Sequence, residues 1–192
     1  MGSSEIIKVK DKYFDYFIGE YELNALVDNL ANKINEDYHF VDETKPLIII
    51  GILNGSFMFL SDIVKKLKIN CEIHFIKVSS YVGTESTGNI NKLIGLDIDL
   101  NNKNVLIIED IIDTGKTMVN IIEELKLSNP SSINICTFLY KKVKCKEDLD
   151  IKYIGKIIDD NFVVGYGLDY DGQGRNYSCL YKLTDIIDIG NL

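Results

Sequence analysis

The stretch VLIIEDIIDTGKTM, residues 105–118, gathers residue types that could grip a phosphorylated sugar. An apolar run ends in two acids, Glu109 and Asp110, and Asp113-Thr114-Gly115-Lys116-Thr117 then opens a helix-like pattern. A helix N-terminus offers unpaired N–H groups and the positive end of its dipole, which suit a phosphate. Gly115 lets the backbone approach with no side chain in the way, and Thr114 and Thr117 add hydroxyl donors. The neighbouring carboxylates would repel that phosphate unless they face something else. A vicinal diol, donating two hydrogen bonds into one carboxylate fork, is their natural partner. Phosphate at one end and diol beside it describe a ribose 5-phosphate. The ending Gly115-Lys116-Thr117 also matches a nucleotide-binding P-loop, but that motif needs its first glycine where this chain has Asp110.

These residues must be held by a chain of 192 residues, enough for one domain of ordinary size, and we read residues 1–192 as a single domain. Hydrophobic residues make up 46% and charged residues 26%, the balance of a globular protein rather than a disordered one. A net charge of −8 repels a polyphosphate backbone, so nucleic acid is not an expected partner. The longest apolar run, LIIIGIL at 47–53, is far short of the ~20 residues that cross a bilayer, and MGSSEIIKVKDKY has no signal-peptide core. No membrane association and a cytoplasmic location are the expectations. Cys71, Cys136, Cys145 and Cys179 form no C-x-x-C pair, and only His39 and His74 accompany them. That argues against a structural zinc site and against a disulfide framework. The chemistry then falls to carboxylates, lysines, backbone amides or a borrowed metal.

The periodicity supplies a scaffold. Leu23, Leu26, Leu30, Ile34 and Tyr38 have helical spacing within Glu20–Tyr38. LIIIGIL is unalternated, as in a strand covered on both faces. A turn at Asn54-Gly55-Ser56 leads to a helix over Phe57–Leu67, a strand over Cys71–Val78 and a polar stretch over Ser79–Asn91. Strands are expected at Val105–Ile108, at Ile133–Tyr140 and from near Phe162, with a helix through about Leu125. The alternation predicts an α/β fold with a mainly parallel sheet flanked by helices. In such sheets the ligand sits beyond the carboxyl ends of the strands, where each chemical-looking stretch here falls.

The run ED-I-I-DTGKT within 105–118 resembles the phosphoribosyl pyrophosphate signature of type I phosphoribosyltransferases, in the form of the hypoxanthine-guanine branch. Three further stretches match in order and spacing. LNGS at 53–56 resembles the family's diphosphate loop, although a basic residue commonly stands where this chain has Asn54. SSYVGTESTG at 79–88 resembles its mobile loop, and FVVGYGLDYDGQGR at 162–175 its purine-binding segment, with Gln173-Gly174 departing from the usual aromatic and acidic residues.

The resemblance implies a type I phosphoribosyltransferase fold with a small hood for the base. It implies transfer of 5-phosphoribosyl from phosphoribosyl pyrophosphate to hypoxanthine or guanine, with magnesium as cofactor. Glu109 and Asp110 would hold the ribose hydroxyls and share in metal binding. Thr114, Gly115, Lys116 and Thr117 would hold the 5-phosphate, and Leu53, Asn54 and Gly55 the diphosphate. Ser80 and Tyr81 would close over the reacting centre. Phe162 would stack on the base and Val163 meet its exocyclic edge through the main chain. Asp169 would hold magnesium, and Arg175 would reach the diphosphate. Counting back from the purine segment, the base-recognising lysine falls on Lys141, and Asp113 would take the proton from the purine's imidazole nitrogen. The family further implies a homodimer or homotetramer. A preference for xanthine or another base, and a non-catalytic regulator that senses phosphoribosyl pyrophosphate through the same pocket, are the alternatives left open.

Overall fold

The computed structural model describes residues 6–80, 91–95 and 98–184. Its elements are β1 (Ile6–Val9), β2 (Lys12–Ile18), α1 (Glu20–Asp37), β3 (Leu47–Leu53), α2 (Phe57–Val64), β4 (Cys71–Ser80), β5 (Asn91–Ile94), β6 (Asn104–Ile112), α3 (Lys116–Lys126), β7 (Ser132–Tyr140), β8 (Tyr153–Ile157), β9 (Val163–Val164) and β10 (Leu180–Leu183). The main sheet has the order β5-β4-β3-β6-β7-β8. All its pairings are parallel except that of β5 with β4. This is the mainly parallel α/β arrangement that the alternating pattern predicts.

LIIIGIL lies at the middle of the sheet because both its faces are covered, and six of its seven residues are buried. Leu47 and Ile49 face a core shared with Leu23, Val27, Leu30 and Ile34 of α1 and with Phe59, Leu60 and Ile63 of α2. Ile48, Ile50 and Ile52 face the opposite core, closed by Met118, Ile121 and Leu125 of α3. Helices therefore flank both faces, as the period-3.6 stripes require. Gly51 has a packing reason: a Cβ there would lie 2.6 Å from Leu60 Cδ2, so its absence lets α2 settle onto the strand.

Going outward from the middle, β4 follows β3 on one side while β6, β7 and β8 run away on the other. The order of winding thus reverses between β3 and β6, and their carboxyl ends open the crevice where such folds bind ligands. LNGS follows β3, and Asp113–Thr117 follows β6. The two stretches with the clearest chemistry are neighbours at the switch point.

A second, four-stranded antiparallel sheet of order β1-β2-β10-β9 carries the start of the chain and the residues around 162 and 180. Ile18, Val163, Tyr166 and Leu180 join it to the core beneath α1. Several expectations are corrected here. The strand expected from near Phe162 is only the two residues of β9, and it belongs to this second sheet. The strand expected to stop at Ile108 runs on to Ile112, because Glu109, Ile111 and Ile112 still pair with β7; Glu109 and Asp110 therefore lie inside β6. The helix expected through Leu67 ends at Val64, where turn hydrogen bonds from Lys66 and Leu67 replace it. No helix among the described residues is long and apolar enough to cross a membrane.

Candidate active site

The turn after β6 is built to leave backbone donors free. Gly115 caps α3 with φ +87°, the left-handed region that favours glycine, and no side chain bonds the first N–H groups. A Cβ at Gly115 would come within 2.7 Å of Cys145 Sγ and 3.1 Å of Glu147, so the loop after β7 packs directly under the turn. The Lys146 N–H, donating to the Thr114 carbonyl at 3.4 Å, ties the two together. Thr114, Lys116 and Thr117 are exposed around the turn. A cleft of about 90 Å³ runs between Glu109, Ile112, Asp113, Thr114, Gly115 and Thr117.

Beside it, Asp110 meets the diphosphate-loop candidate. A Cβ on Gly55 would lie 1.5 Å from Asp110 Oδ2, and a Cβ on Gly167 (φ +98°) 2.1 Å from the Gly55 carbonyl. The Asp110 carboxylate, the loop after β3 and the backbone at 167 thus meet at van der Waals distance only because both positions are glycine. Leu53 is half-buried, and its peptide bond to the exposed Asn54 is cis. Ser56, fully buried, donates its hydroxyl to the Ile52 carbonyl at 2.5 Å and closes the loop.

Burial pushes the Asp110 carboxyl up to about 6; the nearby Asp169 adds to this, while the Ile111 N–H, donating at 2.8 Å, and Arg175 pull it back down. Glu109 is raised well above the carboxylate range by burial first and by Asp110 second, and its Oε2 is buried with no partner among the described residues. Asp169 accepts from Arg175 at 2.7 Å through Oδ1 and from the Gly172 N–H at 2.7 Å through Oδ2. Arg175 also donates to the Gly167 carbonyl at 2.7 Å, which locks the 167–175 loop. No group of three or more His, Cys, Asp or Glu side chains is gathered to hold a metal among the described residues. The carboxylates of Glu109, Asp110 and Asp169 suit a hard cation in their donor chemistry, with a bound ligand supplying further oxygens.

The residues expected to meet a base lie on different elements. Phe162 is 44% exposed, with Tyr170 edge-on at 5.9 Å and Phe14 of β2 behind it at 6.4 Å. Val163 beside it is buried, and the Phe162 carbonyl accepts from the Leu183 N–H at 2.7 Å. Lys141 is 5% exposed, its backbone N–H donating to the Ile112 carbonyl at 3.0 Å, and its Nζ lies 3.4 Å from Asp113 Oδ2. The two residues expected to act on the base are therefore brought together. Sequence reasoning missed Asp160 and Lys144, although both touch this pair. The exposed charges of loops carry no pattern that marks them out. Ser80 ends β4, and Tyr81 lies outside the described residues, as does the rest of the expected mobile loop through residue 88.

Residues 20–171 match the family model described as a phosphoribosyl transferase domain. The chain is 42% identical over 163 residues to the hypoxanthine-guanine phosphoribosyltransferase of Staphylococcus aureus, spanning 84% of this chain and 89% of that protein. A crystal structure of a hypoxanthine phosphoribosyltransferase from Staphylococcus aureus superposes with a TM-score of 0.79 at 41% identity, covering 88% of this chain and 90% of that one. A Trypanosoma cruzi hypoxanthine phosphoribosyl transferase superposes with a TM-score of 0.82 at 26% identity, over 93% and 95% of the two chains. With the two crevice loops and the base side in place, these likenesses are decisive: the chain belongs to the phosphoribosyltransferase family, in the branch of the hypoxanthine-guanine phosphoribosyltransferases.

Proposed function

We propose that this protein salvages purines by transferring 5-phosphoribosyl from phosphoribosyl pyrophosphate to hypoxanthine or guanine, giving IMP or GMP and diphosphate. The observation that carries the reading is the meeting, at one crevice, of the open phosphate turn at Gly115 with the Lys141–Asp113 pair. The first suits a sugar phosphate. The second offers a donor and an acceptor to one edge of a flat base, between the 6-oxo group and the imidazole nitrogen.

In this reading the N–H groups and hydroxyls of Thr114–Thr117 hold the 5-phosphate, and Glu109 and Asp110 hold the ribose hydroxyls and so fix the line of attack. Leu53, Asn54 and Gly55 hold the departing diphosphate by backbone amides, with Arg175 nearby for charge. Glu109, Asp110 and Asp169 are the residues that would hold magnesium. When bound, magnesium would neutralise charge on the leaving diphosphate. Phe162 stacks on the base, and Val163 offers it main-chain groups. Ser80 and Tyr81 close over the centre and exclude water, which would otherwise capture a sugar with cationic character at its anomeric carbon. Residues 1–192 act as one domain in which the second sheet is the hood over the base, working in the cytoplasm as a homodimer or homotetramer.

Purified protein given magnesium, phosphoribosyl pyrophosphate and, in turn, hypoxanthine, guanine, xanthine and adenine is expected to make nucleoside monophosphate from the first two and little from adenine. No product from any base, separated chromatographically, would refute the reading.

Asp110 sets a pH dependence. It accepts two hydroxyl hydrogen bonds in a charged fork only when ionised, since protonation turns one oxygen into a donor, and burial places its pKa at about 6. Between pH 7 and pH 5 its ionised fraction falls about tenfold. Affinity for phosphoribosyl pyrophosphate, measured by calorimetry, is expected to fall about tenfold more over that range than in Asp110→Asn, which cancels the substrate's own titration. Equal losses in both proteins would remove Asp110 from sugar binding. The effect on stability has a definite sign. The folded value lies above the unfolded one, so the contribution is present below about pH 4 and lost as pH rises through 6.

A further inference from the structure

Two lysines and two aspartates close a square of charge at the base side. Lys144 Nζ lies 3.0 Å from Asp113 Oδ2 and 3.1 Å from Asp160 Oδ1; Lys141 Nζ lies 3.4 Å and 3.1 Å from the same two oxygens. Each lysine bridges both acids, and each acid uses a single oxygen. The nearer cation to Asp113 is Lys144, not the buried Lys141. The other oxygen, Asp113 Oδ1, is buried and without a partner among the described residues. A carboxylate pinned through one oxygen presents the other in a fixed direction, which is what a proton acceptor needs.

We propose that Lys144 is a positioning residue for Asp113, and that Asp160 is the counter-anion that shares both lysines with it. The inference rests on the phosphoribosyl-transfer reading. Both ammonium groups at Asp113 are also paired with Asp160, so neither is committed to Asp113 alone. Asp160 takes part of each. The directions of the neighbours agree: Lys144 is raised, mainly by Asp113 and then Asp160, and Asp160 is lowered, mainly by Lys144 and then Lys141. The other charges at this end are Glu109 on β6, Lys116 at the start of α3, and Lys142, Lys146, Glu147 and Asp159 on the loops around β7 and β8. Among the described residues none of these forms an ion pair within the square.

The two added members act on Asp113 with opposite sign, and that makes them testable. The pH profile of kcat/KM for hypoxanthine, at saturating phosphoribosyl pyrophosphate, is to be measured for the unsubstituted protein, Lys144→Met, Lys144→Arg and Asp160→Asn. Losing Lys144 removes a cation from beside Asp113, so the acid limb of the profile is expected to move up. Turnover should fall about tenfold and recover in Lys144→Arg. Losing Asp160 releases both lysines onto Asp113, so its acid limb should move down. Affinity for phosphoribosyl pyrophosphate should stay within about twofold in all three, because no residue of the sugar-phosphate side is altered. The two side chains are 38% and 56% exposed, so folding should survive each change, and either direction alone decides if one variant fails to fold. A slower Lys144→Met with its acid limb unmoved, or limbs moving the same way in both variants, overturns the inference. Absence of product from the unsubstituted protein would instead overturn the reading beneath it.

Discussion

Replacing Asp113 by asparagine is expected to lower turnover by tenfold or more while leaving phosphoribosyl pyrophosphate bound with nearly unchanged affinity. The split follows from which atoms do what. In the proposed reading the sugar phosphate is held by the first N–H groups of α3 and by Glu109 and Asp110, none of which asparagine at 113 alters. What is lost is the acceptor at Asp113 Oδ1, which is buried and uncommitted. Placed acid–base groups supply roughly 10²–10⁴-fold, so the loss should exceed what a small displacement causes. Asparagine also leaves Lys141 and Lys144 with Asp160 as their sole shared acid, which keeps the lysines anchored and confines the damage to chemistry. Single-turnover rates beside equilibrium binding measure the two quantities separately. Full turnover in the variant would remove Asp113 from the mechanism.

Replacing Lys141 by methionine should act on the base instead. A hydrogen bond from an ammonium to the 6-oxo group is worth about 1.5–3 kcal/mol, so kcat/KM for hypoxanthine and guanine should fall by roughly 10–150-fold. Adenine offers an amino group at the same place and gains nothing from the lysine. Its poor rate should therefore fall little or rise, and discrimination should narrow. Methionine keeps the buried stem filled, and Lys144 still pairs with both aspartates, so the fold should hold. Parallel losses for hypoxanthine and adenine would show that Lys141 does not read the 6-position.

The residues that these predictions use were not equally accessible from the sequence. LIIIGIL could be placed to the residue because a strand covered on both faces needs no alternation, and the turn at Gly115 because a glycine and two threonines before an amphipathic run have one natural geometry. Asp113 and Lys141 could be named but not joined. Their contact depends on β6 and β7 lying side by side, with the Lys141 N–H on the Ile112 carbonyl. The β1–β2 hairpin escaped notice because its turn, Lys10-Asp11, has no glycine; Lys10 takes φ +53° and pairs with Asp171 instead. The run of aromatic and β-branched residues in KYFDYFI, of which Phe14 and Ile18 are buried, was the signal available. β8 is short and interrupted by Gly155, where a Cβ would lie 2.5 Å from the Phe138 carbonyl, so its sequence does not read as a strand. Asp160 and Lys144 look like solvated loop charges until tertiary structure sets them against Asp113.

A crystal structure of the protein with a 6-oxopurine nucleoside monophosphate bears on all of this at once. The account predicts the phosphate on the N–H groups of the turn at 114–117, the sugar hydroxyls on Glu109 and Asp110, and the ring against Phe162 with its oxo group toward Lys141. A nucleotide lodged elsewhere, with that turn bare of phosphate, would contradict it.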